Sequence, residues 1–200
     1  MIYLIRHGAI EGAKERRFIG QSDLPLSEAG RHIAGQWKEI LACIKFEVVV
    51  CSDLQRAEET ARIIAGDKHM AVRPMSQLRE INLGQWEGLP MAHVRRHFPE
   101  EWARRGEDIS SYKPPGGECF EDLHNRVLPA VEDMVARLKG HGLIVAHAGV
   151  NRLVLCHVLG MPLANLFRVD QDYAALNILV KDQKGLRVKA LNQYESSNSS

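Results

Sequence analysis

The sequence is short of the features that mark several protein classes: it has few cysteines, no excess of one charge and no long apolar run. Its 4 cysteines include no Cys-x-x-Cys pair, so we expect free buried thiols rather than disulfides. The 26 Lys and Arg residues are matched by 25 Asp and Glu residues, for a formal net charge of +1. A chain without an excess of positive charge does not coat a polyanion, so we expect no nucleic-acid partner.

Membrane and export signals are also missing from the sequence. No stretch approaches the roughly 20 apolar residues that cross a bilayer. Met1 is followed directly by apolar residues, without a basic leader or a cleavage site. We therefore expect no membrane partner and a cytoplasmic location. A length of 200 residues with 45% hydrophobic residues predicts one ordinary globular domain with a single core.

Hydrophobic patterning predicts strands that alternate with helices. Continuous apolar runs at residues 2–5, 46–51 and 143–146 are typical of strands buried on both faces, which favours a parallel sheet. Residues 174–182 and 186–192 flank a Lys-Gly pair and predict a closing hairpin at one edge of the sheet. Helical periodicity covers residues 27–44, 52–66, 118–140 and 150–160.

This order of elements predicts an α/β fold: a three-layer sandwich with a mostly parallel central sheet and helices on both faces. The segment at about 88–117 differs from the rest, because it is polar, rich in proline and without a clear strand pattern. We interpret it as a helical or loop insertion that caps the carboxyl-terminal edge of the strands. The prediction is therefore a single domain over residues 1–200 with this cap inserted.

Two of the apolar runs end in a histidine that a glycine soon follows. The stretch "YLIRHG" carries His7, and "LIVAHAG" carries His147. In open α/β sheets ligands bind at the carboxyl ends of the strands, where helix N-termini also aim backbone N–H groups. We therefore expect His7 and His147 to converge on one pocket.

Two arginines belong to the same predicted edge of the sheet. Arg6 precedes the first of these histidines, and Arg56 falls in the first turns of the helix that follows the run ending at Cys51. Guanidinium groups stay charged and present forked donors that match phosphate oxygens. The pocket therefore predicts a small phosphorylated metabolite, a phosphate ester, as the partner.

The same pocket suggests how such an ester could be hydrolysed. A neutral imidazole can attack phosphorus and form a phosphohistidine, which water then breaks down. The leaving alkoxide needs a proton, and a carboxylic acid in a partly desolvated site can supply it. The stretch "LREINLGQWEG" offers Glu80 and Glu87, and their spacing alone does not choose between them.

Four motifs occur in a defined order along the chain: "LIRHG", "SDLQRAEETA", "LREINLGQWEG" and "VAHAGVNR". They resemble the motifs of the histidine phosphatase superfamily, in its phosphoglycerate-mutase-like branch. The resemblance implies that His7 is the phosphorylated nucleophile and that Glu80 is the proton donor. It also implies that Arg6, Arg56 and His147 hold the phosphoryl group. Catalysis would need no cofactor and no metal, because the arginines already supply positive charge.

The resemblance extends to a loop at residues 16–30, which is similar to the family's substrate loop. It implies that Gly20 and Gln21 lie near the phosphate or the leaving group. Ala148, the residue after the second histidine, is also expected to contact the substrate.

The first motif departs from the family pattern. Many members continue it as RHGET with an Asn a few residues later, whereas this chain has Ala9, Ile10 and Ala13 at those positions. The change removes a hydroxyl and an amide from the expected phosphate site. Arg17 is a candidate substitute for them, together with the two loop residues named above.

A further resemblance bears on the substrate. The chain is short, and its "PPGGE" stretch opens a long helix, which is similar to the α-ribazole phosphatases of cobalamin synthesis and to related small phosphatases of broad specificity. The leading hypothesis is thus a metal-independent phosphomonoesterase with α-ribazole 5'-phosphate as a candidate substrate. Two alternatives stay open: a phosphoglycerate-type mutase, and a non-catalytic phosphate-binding regulatory domain. We expect a monomer or a homodimer.

Overall fold

The computed structural model describes residues 1–12, 15–66, 71–183 and 185–194. Within them it contains a six-stranded mixed sheet of the order β3-β2-β4-β1-β5-β6. The strands are β1 (Ile2–Arg6), β2 (Phe46–Ser52), β3 (Val72–Met75), β4 (His141–Ala146), β5 (Leu176–Asp182) and β6 (Gly185–Gln193). The strands β3, β2, β4 and β1 run parallel, whereas β5 pairs antiparallel with both β1 and β6. The chain thus has an α/β fold, and the predicted hairpin lies at one edge of its sheet.

Helices connect most of these strands. The α-helices are α1 (Glu28–Ile40), α2 (Gln55–Ala65), α3 (Met91–His97), α4 (Pro99–Glu107), α5 (Phe120–Arg137) and α6 (Ala148–Leu159). Three short 3-10 helices cover Ser76–Leu78, Gly84–Trp86 and Leu163–Arg168. In the part of the chain that the structure describes, no helix combines the length and the apolar character needed to cross a membrane.

Local sequence signals explain where several helices begin and end. Ser27 is the N-cap of α1, and its side chain accepts a hydrogen bond from the backbone N–H of Gly30 at 3.1 Å. In the C-terminal part of the chain, α6 ends at its C-cap Gly160. This residue adopts a left-handed conformation that is strained for a residue with a side chain. Pro129 lies inside α5, and the helix continues through it.

The core consists of two large apolar clusters on the sheet. Side chains of successive strand residues point to opposite faces, and β1 divides its residues accordingly. Ile2 and Leu4 join the cluster that contains residues of α5 and α6. Tyr3 and Ile5 join the cluster that contains residues of α1 and α2. A strand buried on both faces explains the continuous apolar run at the start of the sequence.

Two details of the sequence-based assignment were wrong. The strand β3 was not predicted, because its sequence "VRPM" has no apolar alternation and its middle residues Arg73 and Pro74 are exposed. It lies at the edge of the sheet, where proline is tolerated. The predicted helix over 52–66 begins later, at Gln55, because Ser52 is still the last residue of β2.

The segment at residues 88–117 contains α3 and α4, which are joined at Phe98. Its apolar side chains form a third cluster. Val94 of α3 is buried there against Phe18 and Trp86, and Trp102 packs at the margin. This cluster ties the segment to the loop that follows β1.

Candidate active site

The carboxyl ends of β1 and β4 bring two histidines together. The two strands are neighbours, with Arg6 in register with Ala146, so the residues that follow them, His7 and His147, lie side by side. Their ring centroids are 5.1 Å apart. His147 is fully buried and His7 is 5% exposed.

The hydrogen bonds of His7 fix its tautomer. Its Nδ1 lies 2.7 Å from the carbonyl oxygen of Gly8. Because a carbonyl can only accept, Nδ1 carries the proton and donates it. In the neutral ring, Nε2 then holds the free electron pair, which is what a nucleophilic imidazole needs.

Both histidines are held in the neutral form. Burial lowers the pKa of His7 well below 6.5, and the nearby charges of Arg6 and Arg56 lower it further. Burial also lowers the pKa of His147 well below 6.5, with smaller contributions from His7 and the same arginines. Neither ring nitrogen of His147 has a hydrogen-bond partner among the described residues. Two neutral imidazoles therefore lie next to the two cationic guanidinium groups.

Arg6 presents one edge of its guanidinium to the site. Its Nη1 donates to the backbone oxygen of Gln171 at 2.7 Å. Its Nε is buried and has no partner among the described residues. Burial lowers the pKa of Arg6, but a guanidinium stays protonated in proteins. The edge formed by Nε and Nη2 is thus a charged fork suited to two oxygens of one anion.

Arg56, in the first turn of α2, is 1% exposed. Its Nη1 donates to the backbone oxygen of Ser22 at 2.7 Å, and its Nη2 donates to that of Gly20 at 2.8 Å. Its Nε has no partner among the residues described. Arg56 therefore ties the loop at residues 20–22 to the cationic end of the site.

Glu80 lies in an irregular segment between two 3-10 helices and reaches the start of α6. Its Oε2 accepts from the backbone N–H of Gly149 at 3.0 Å, and its Oε1 accepts from that of Ile81 at 2.9 Å. Gly149 permits this approach, because a Cβ at that position would collide with the Glu80 carboxylate. Glu80 lines the same cavity as His7.

Glu87, the other candidate acid, has a different environment. Its Oε1 accepts from the backbone N–H groups of Gln21 at 2.8 Å and Leu83 at 3.2 Å. Its Oε2 accepts from the hydroxyl of Ser22 at 3.0 Å. Glu87 is therefore engaged in holding the loop and is not among the residues that line the cavity.

The four remaining predicted site residues divide into two groups. Gly20 and Ala148 line the cavity together with Arg17. Gln21 does not, because its side chain amide donates to the backbone oxygen of Glu80 at 3.0 Å. Arg17 is also paired with Glu15 at 2.8 Å on the exposed rim.

The altered first motif has a partly visible structural role. Ala9 accepts from the backbone and the hydroxyl of Ser27, at 2.9 and 3.1 Å, through its own backbone oxygen. Ile10 is buried and lines the cavity as an apolar wall. Ala13, the third altered position, lies outside the described residues.

The cavity has a volume of about 480 Å³ and extends well beyond His7. His147, which is fully buried, packs against His7 and is not among the residues that line the cavity. Volumes of roughly 300–1,000 Å³ are typical of pockets that enclose a small organic ligand. Its outer part is lined mainly by apolar and aromatic side chains from the loop after β1, from residues 88–117 and from the segment after α6. These are Phe18, Met91, Trp102, Ile109, Tyr112 and Phe167.

Three charged or aromatic residues are notable among the cavity residues that were not predicted from the sequence. Tyr173 lies against Arg6, with the guanidinium Cζ 3.8 Å from the ring centroid. Arg105 and Arg152 both lie near the ring of Phe167, with Cζ at 5.7 and 5.2 Å from its centroid. The stretches "DQDY" and "WARRG" that contain Tyr173 and Arg105 carry no spacing signal that would single these residues out.

Two histidines have the spacing of a helical pair of metal ligands. His93 and His97 lie one turn apart on α3, with ring centroids 4.2 Å apart. Among the residues that the structure describes, no group of three or more His, Cys, Asp or Glu side chains comes together as a metal site. The metal-free chemistry stays a prediction.

Comparison with known proteins identifies relatives along nearly the whole chain. The family model described as "Histidine phosphatase superfamily (branch 1)" matches residues 2–194. The adenosylcobalamin/alpha-ribazole phosphatase of Escherichia coli K12 is 30% identical over 199 residues, covering 96% of this chain and 95% of that protein. The glucosyl-3-phosphoglycerate phosphatase of Mycolicibacterium vanbaalenii is 32% identical over 173 residues, covering 82% and 76%.

A solved structure gives the same result for the fold. The crystal structure of the alpha-ribazole phosphatase from Shigella flexneri superposes with a TM-score of 0.89 at 26% identity. The match covers 98% of this chain and 99% of the other. The chain length and the arrangement of elements are therefore shared.

Proposed function

The chain belongs to the histidine phosphatase superfamily and is a phosphoric monoester hydrolase acting on a small phosphorylated metabolite; from this premise we propose the residues and steps of its reaction. We propose that His7 is the nucleophile of a metal-independent phosphomonoesterase. The observation that carries the proposal is the neutral His7, whose Nε2 faces a cavity flanked by two buried guanidinium groups.

In the first step, the phosphoryl group of the ester binds between the arginines and His147. The Nε and Nη2 edge of Arg6 receives two phosphoryl oxygens, and Arg56 adds a second positive charge. Nε2 of His7 then forms a bond to phosphorus while the bond to the ester oxygen breaks. The phosphorylated ring carries a positive charge, and its Nδ1–H remains bonded to the Gly8 carbonyl.

Glu80 is the proposed proton donor in the first step and the proton acceptor in the second. We assign to the Glu80 carboxyl group, which lines the same cavity as His7, the proton that the leaving oxygen needs. As the ester bond breaks, this proton passes to the leaving oxygen, and the alcohol departs. Glu80 then accepts a proton from the water that attacks the phosphohistidine, and inorganic phosphate leaves with His7 restored.

The outer chamber bears on the leaving group. Its apolar and aromatic side chains, which share the cavity wall with Arg17, Arg105 and Arg152, favour a leaving group that carries an aromatic ring, because apolar walls cannot hydrogen-bond hydroxyl groups. Among the substrates named for the relatives, α-ribazole 5'-phosphate, which belongs to cobalamin synthesis, fits this description best. We propose it as the substrate and residues 88–117 as the cap that contacts its leaving group.

The same proposal covers the finer architecture and assembly. We propose a three-layer sandwich with this cap over the carboxyl-terminal edge of the strands, as one domain over residues 1–200. It acts on a metabolite as a monomer or homodimer, without nucleic acid, in the cytoplasm. The balanced charge of +1 supports the absence of a nucleic-acid partner. The match to the Escherichia coli relative over 96% of this chain and 95% of that protein supports a single domain.

The test begins with His7→Ala and, as matched control, His32→Ala, an exposed histidine on α1. Turnover of p-nitrophenyl phosphate in EDTA should fall at least about 1,000-fold in His7→Ala, because a covalent route is lost. Rapid acid-free quenching with labelled substrate should trap alkali-stable phosphoprotein in the wild type and the control only. Full activity in His7→Ala would falsify the nucleophile.

The substrate is tested with a panel of α-ribazole 5'-phosphate, p-nitrophenyl phosphate and 3-phosphoglycerate. A kcat/KM at least about 100-fold higher for α-ribazole 5'-phosphate than for the others supports the assignment, since pocket contacts of a few kcal/mol give such ratios. Equal values across the panel contradict it. Transfer of label from bisphosphoglycerate to a second hydroxyl identifies a mutase, and phosphate binding without turnover identifies a regulatory domain.

A further inference from the structure

The side chain of Tyr173 lies directly on the guanidinium of Arg6. The Cζ atom of Arg6 is 3.8 Å from the Tyr173 ring centroid, well within the roughly 6 Å over which a cation attracts a ring face. The same ring lies 5.6 Å from that of His7, at an interplanar angle of 57°. Tyr173 also lines the cavity. One aromatic side chain therefore contacts the cation next to the nucleophile.

The backbone around Tyr173 holds it in this position. The next residue, Ala174, is fully buried and has a φ of 57°, a conformation that costs a non-glycine residue about 1 kcal/mol or more. Its N–H donates to the oxygen of His7 at 3.0 Å, and its own oxygen accepts from the Trp37 indole at 2.7 Å. The strained turn is thus bonded on both sides, and it directs Tyr173 towards the site.

Arg6 has few other restraints. Only Nη1 has a hydrogen-bond partner among the described residues, the oxygen of Gln171 at 2.7 Å. A single hydrogen bond does not fix the plane of the guanidinium group, which can still tilt about the line between Nη1 and the Gln171 oxygen. A ring stacked on one face removes that freedom, and the Nε and Nη2 edge then keeps its direction.

We propose that Tyr173 is a positioning residue that orients the Arg6 fork towards the phosphoryl group through cation–π contact. The inference rests on the proposed function, in which Arg6 binds two phosphoryl oxygens. It goes beyond it, because it assigns to the turn at residues 173–174 a role in phosphate affinity. The phenolic hydroxyl has no part in this role; the face of the ring does.

The first experiment compares Tyr173→Ala and Tyr173→Phe with Tyr194→Ala, an exposed tyrosine. Affinity for inorganic phosphate is measured by calorimetry, and kcat and KM are measured with p-nitrophenyl phosphate. Tyr173→Ala should weaken phosphate binding and raise KM about tenfold, which corresponds to a partly buried cation–π contact. Tyr173→Phe should remain within about twofold of the wild type, because its ring keeps the π face.

A second measurement separates positioning from simple packing. Phenylalanine with one to five ring fluorines is incorporated at position 173, which withdraws electron density from the face and changes ring size little. Phosphate affinity should fall in steps with fluorine number, while the melting temperature stays constant. A flat series contradicts the proposal, as does a folded Tyr173→Ala with wild-type phosphate affinity.

The two proposals fail in different ways. If the wild type binds phosphate but hydrolyses no ester, the proposed function fails. The phosphate affinities of the fluorine series, measured by calorimetry, still test the role of Tyr173. If the wild type turns over esters and the series is flat, only the role of Tyr173 is refuted.

Discussion

Glu80 and Glu87 lie in one stretch of sequence, but their hydrogen-bond partners place them in different environments. Glu87 accepts three hydrogen bonds from the loop residues and from Leu83, so its oxygens are occupied. Among the described residues, the Glu80 carboxylate accepts only from the backbone N–H groups of Ile81 and Gly149, and it lines the cavity. At the scale of single residues, the role of a side chain is thus set by what lies within about 3 Å of it.

The contact between Glu80 and Gly149 gives a prediction at this scale. Gly149→Ala introduces a Cβ that would collide with the Glu80 carboxylate, so the carboxylate must move from its position in the cavity. We expect kcat with p-nitrophenyl phosphate to fall about 100-fold, in line with the loss of a positioned proton donor. KM should change much less.

The matched control is Gly35→Ala in α1, where a Cβ meets no atom within 4 Å. That variant should keep the wild-type kcat and become more stable by about 0.5–1 kcal/mol, since alanine is the better helix former. Wild-type kcat in Gly149→Ala would show that the Glu80 carboxylate is not needed where it lies.

At the scale of elements, α5 secures the irregular segment that carries Glu80. Arg126 uses all five of its N–H donors there: two go to the carboxylate of Glu118 and three to backbone oxygens between Gln77 and Glu80. The segment has no strand or α-helix of its own to satisfy these carbonyls. A side chain from a neighbouring helix therefore replaces regular secondary structure.

Arg126→Ala should therefore cost more than a surface ion pair. It removes the Arg126 donors from the carbonyls of Gln77 and Arg79 and the cation from the Glu118 carboxylate. The Glu80 carbonyl keeps its hydrogen bond from Gln21. We expect a loss of about 2–4 kcal/mol in unfolding free energy. Chemical denaturation checks this. Because Glu80 loses its support, kcat should fall as well, under conditions in which the variant is fully folded.

Arg137→Ala on the same helix is the control. Arg137 pairs with Asp133, one turn away, and its side chain is 79% exposed. Exposed pairs of this kind contribute little, so stability and kcat should stay near the wild-type values. Equal effects of the two substitutions would argue against a specific role for Arg126.

For the whole molecule, burying two histidines beside two arginines makes folding depend on pH. The folded state holds His7 and His147 with lowered pKa values. In the unfolded chain both return to ordinary values near 6.5. Below that pH the unfolded chain binds protons that the folded chain does not, so the stability present above pH 6.5 is lost as the pH falls.

His147→Gln tests this linkage. Each such histidine can lower the unfolding free energy by up to about 1.4 kcal/mol for every pH unit below 6.5. The variant should therefore lose stability less steeply than the wild type between pH 6.5 and 5, as measured by urea denaturation. The unfolding free energies of both proteins at pH 8, where the unfolded chain takes up no proton at its histidines, serve as the reference. Parallel curves for both proteins would rule out His147 as a source of the pH dependence.

Much of this arrangement could be predicted from the sequence, for a physical reason. Strands buried on both faces require continuous apolar runs, so β1, β2 and β4 were recognised, and a polar residue after such a run must lie at a strand end. His7, His147, Arg6 and Arg56 were therefore expected at one edge before the structure was known. The strand β3 was not predicted, because an exposed edge strand needs no apolar pattern.

Sequence by itself determined the buried strands, most of the helices and the polar residues that follow β1 and β4, because these depend on periodicity and on local chain chemistry. Only the tertiary structure decided which groups face one another across the cavity. Tyr173 reaches Arg6 from far along the chain, Arg126 supports the Glu80 segment from α5, and Glu87 is engaged by the loop. Such contacts depend on how separate elements pack, and no spacing along the chain encodes that packing.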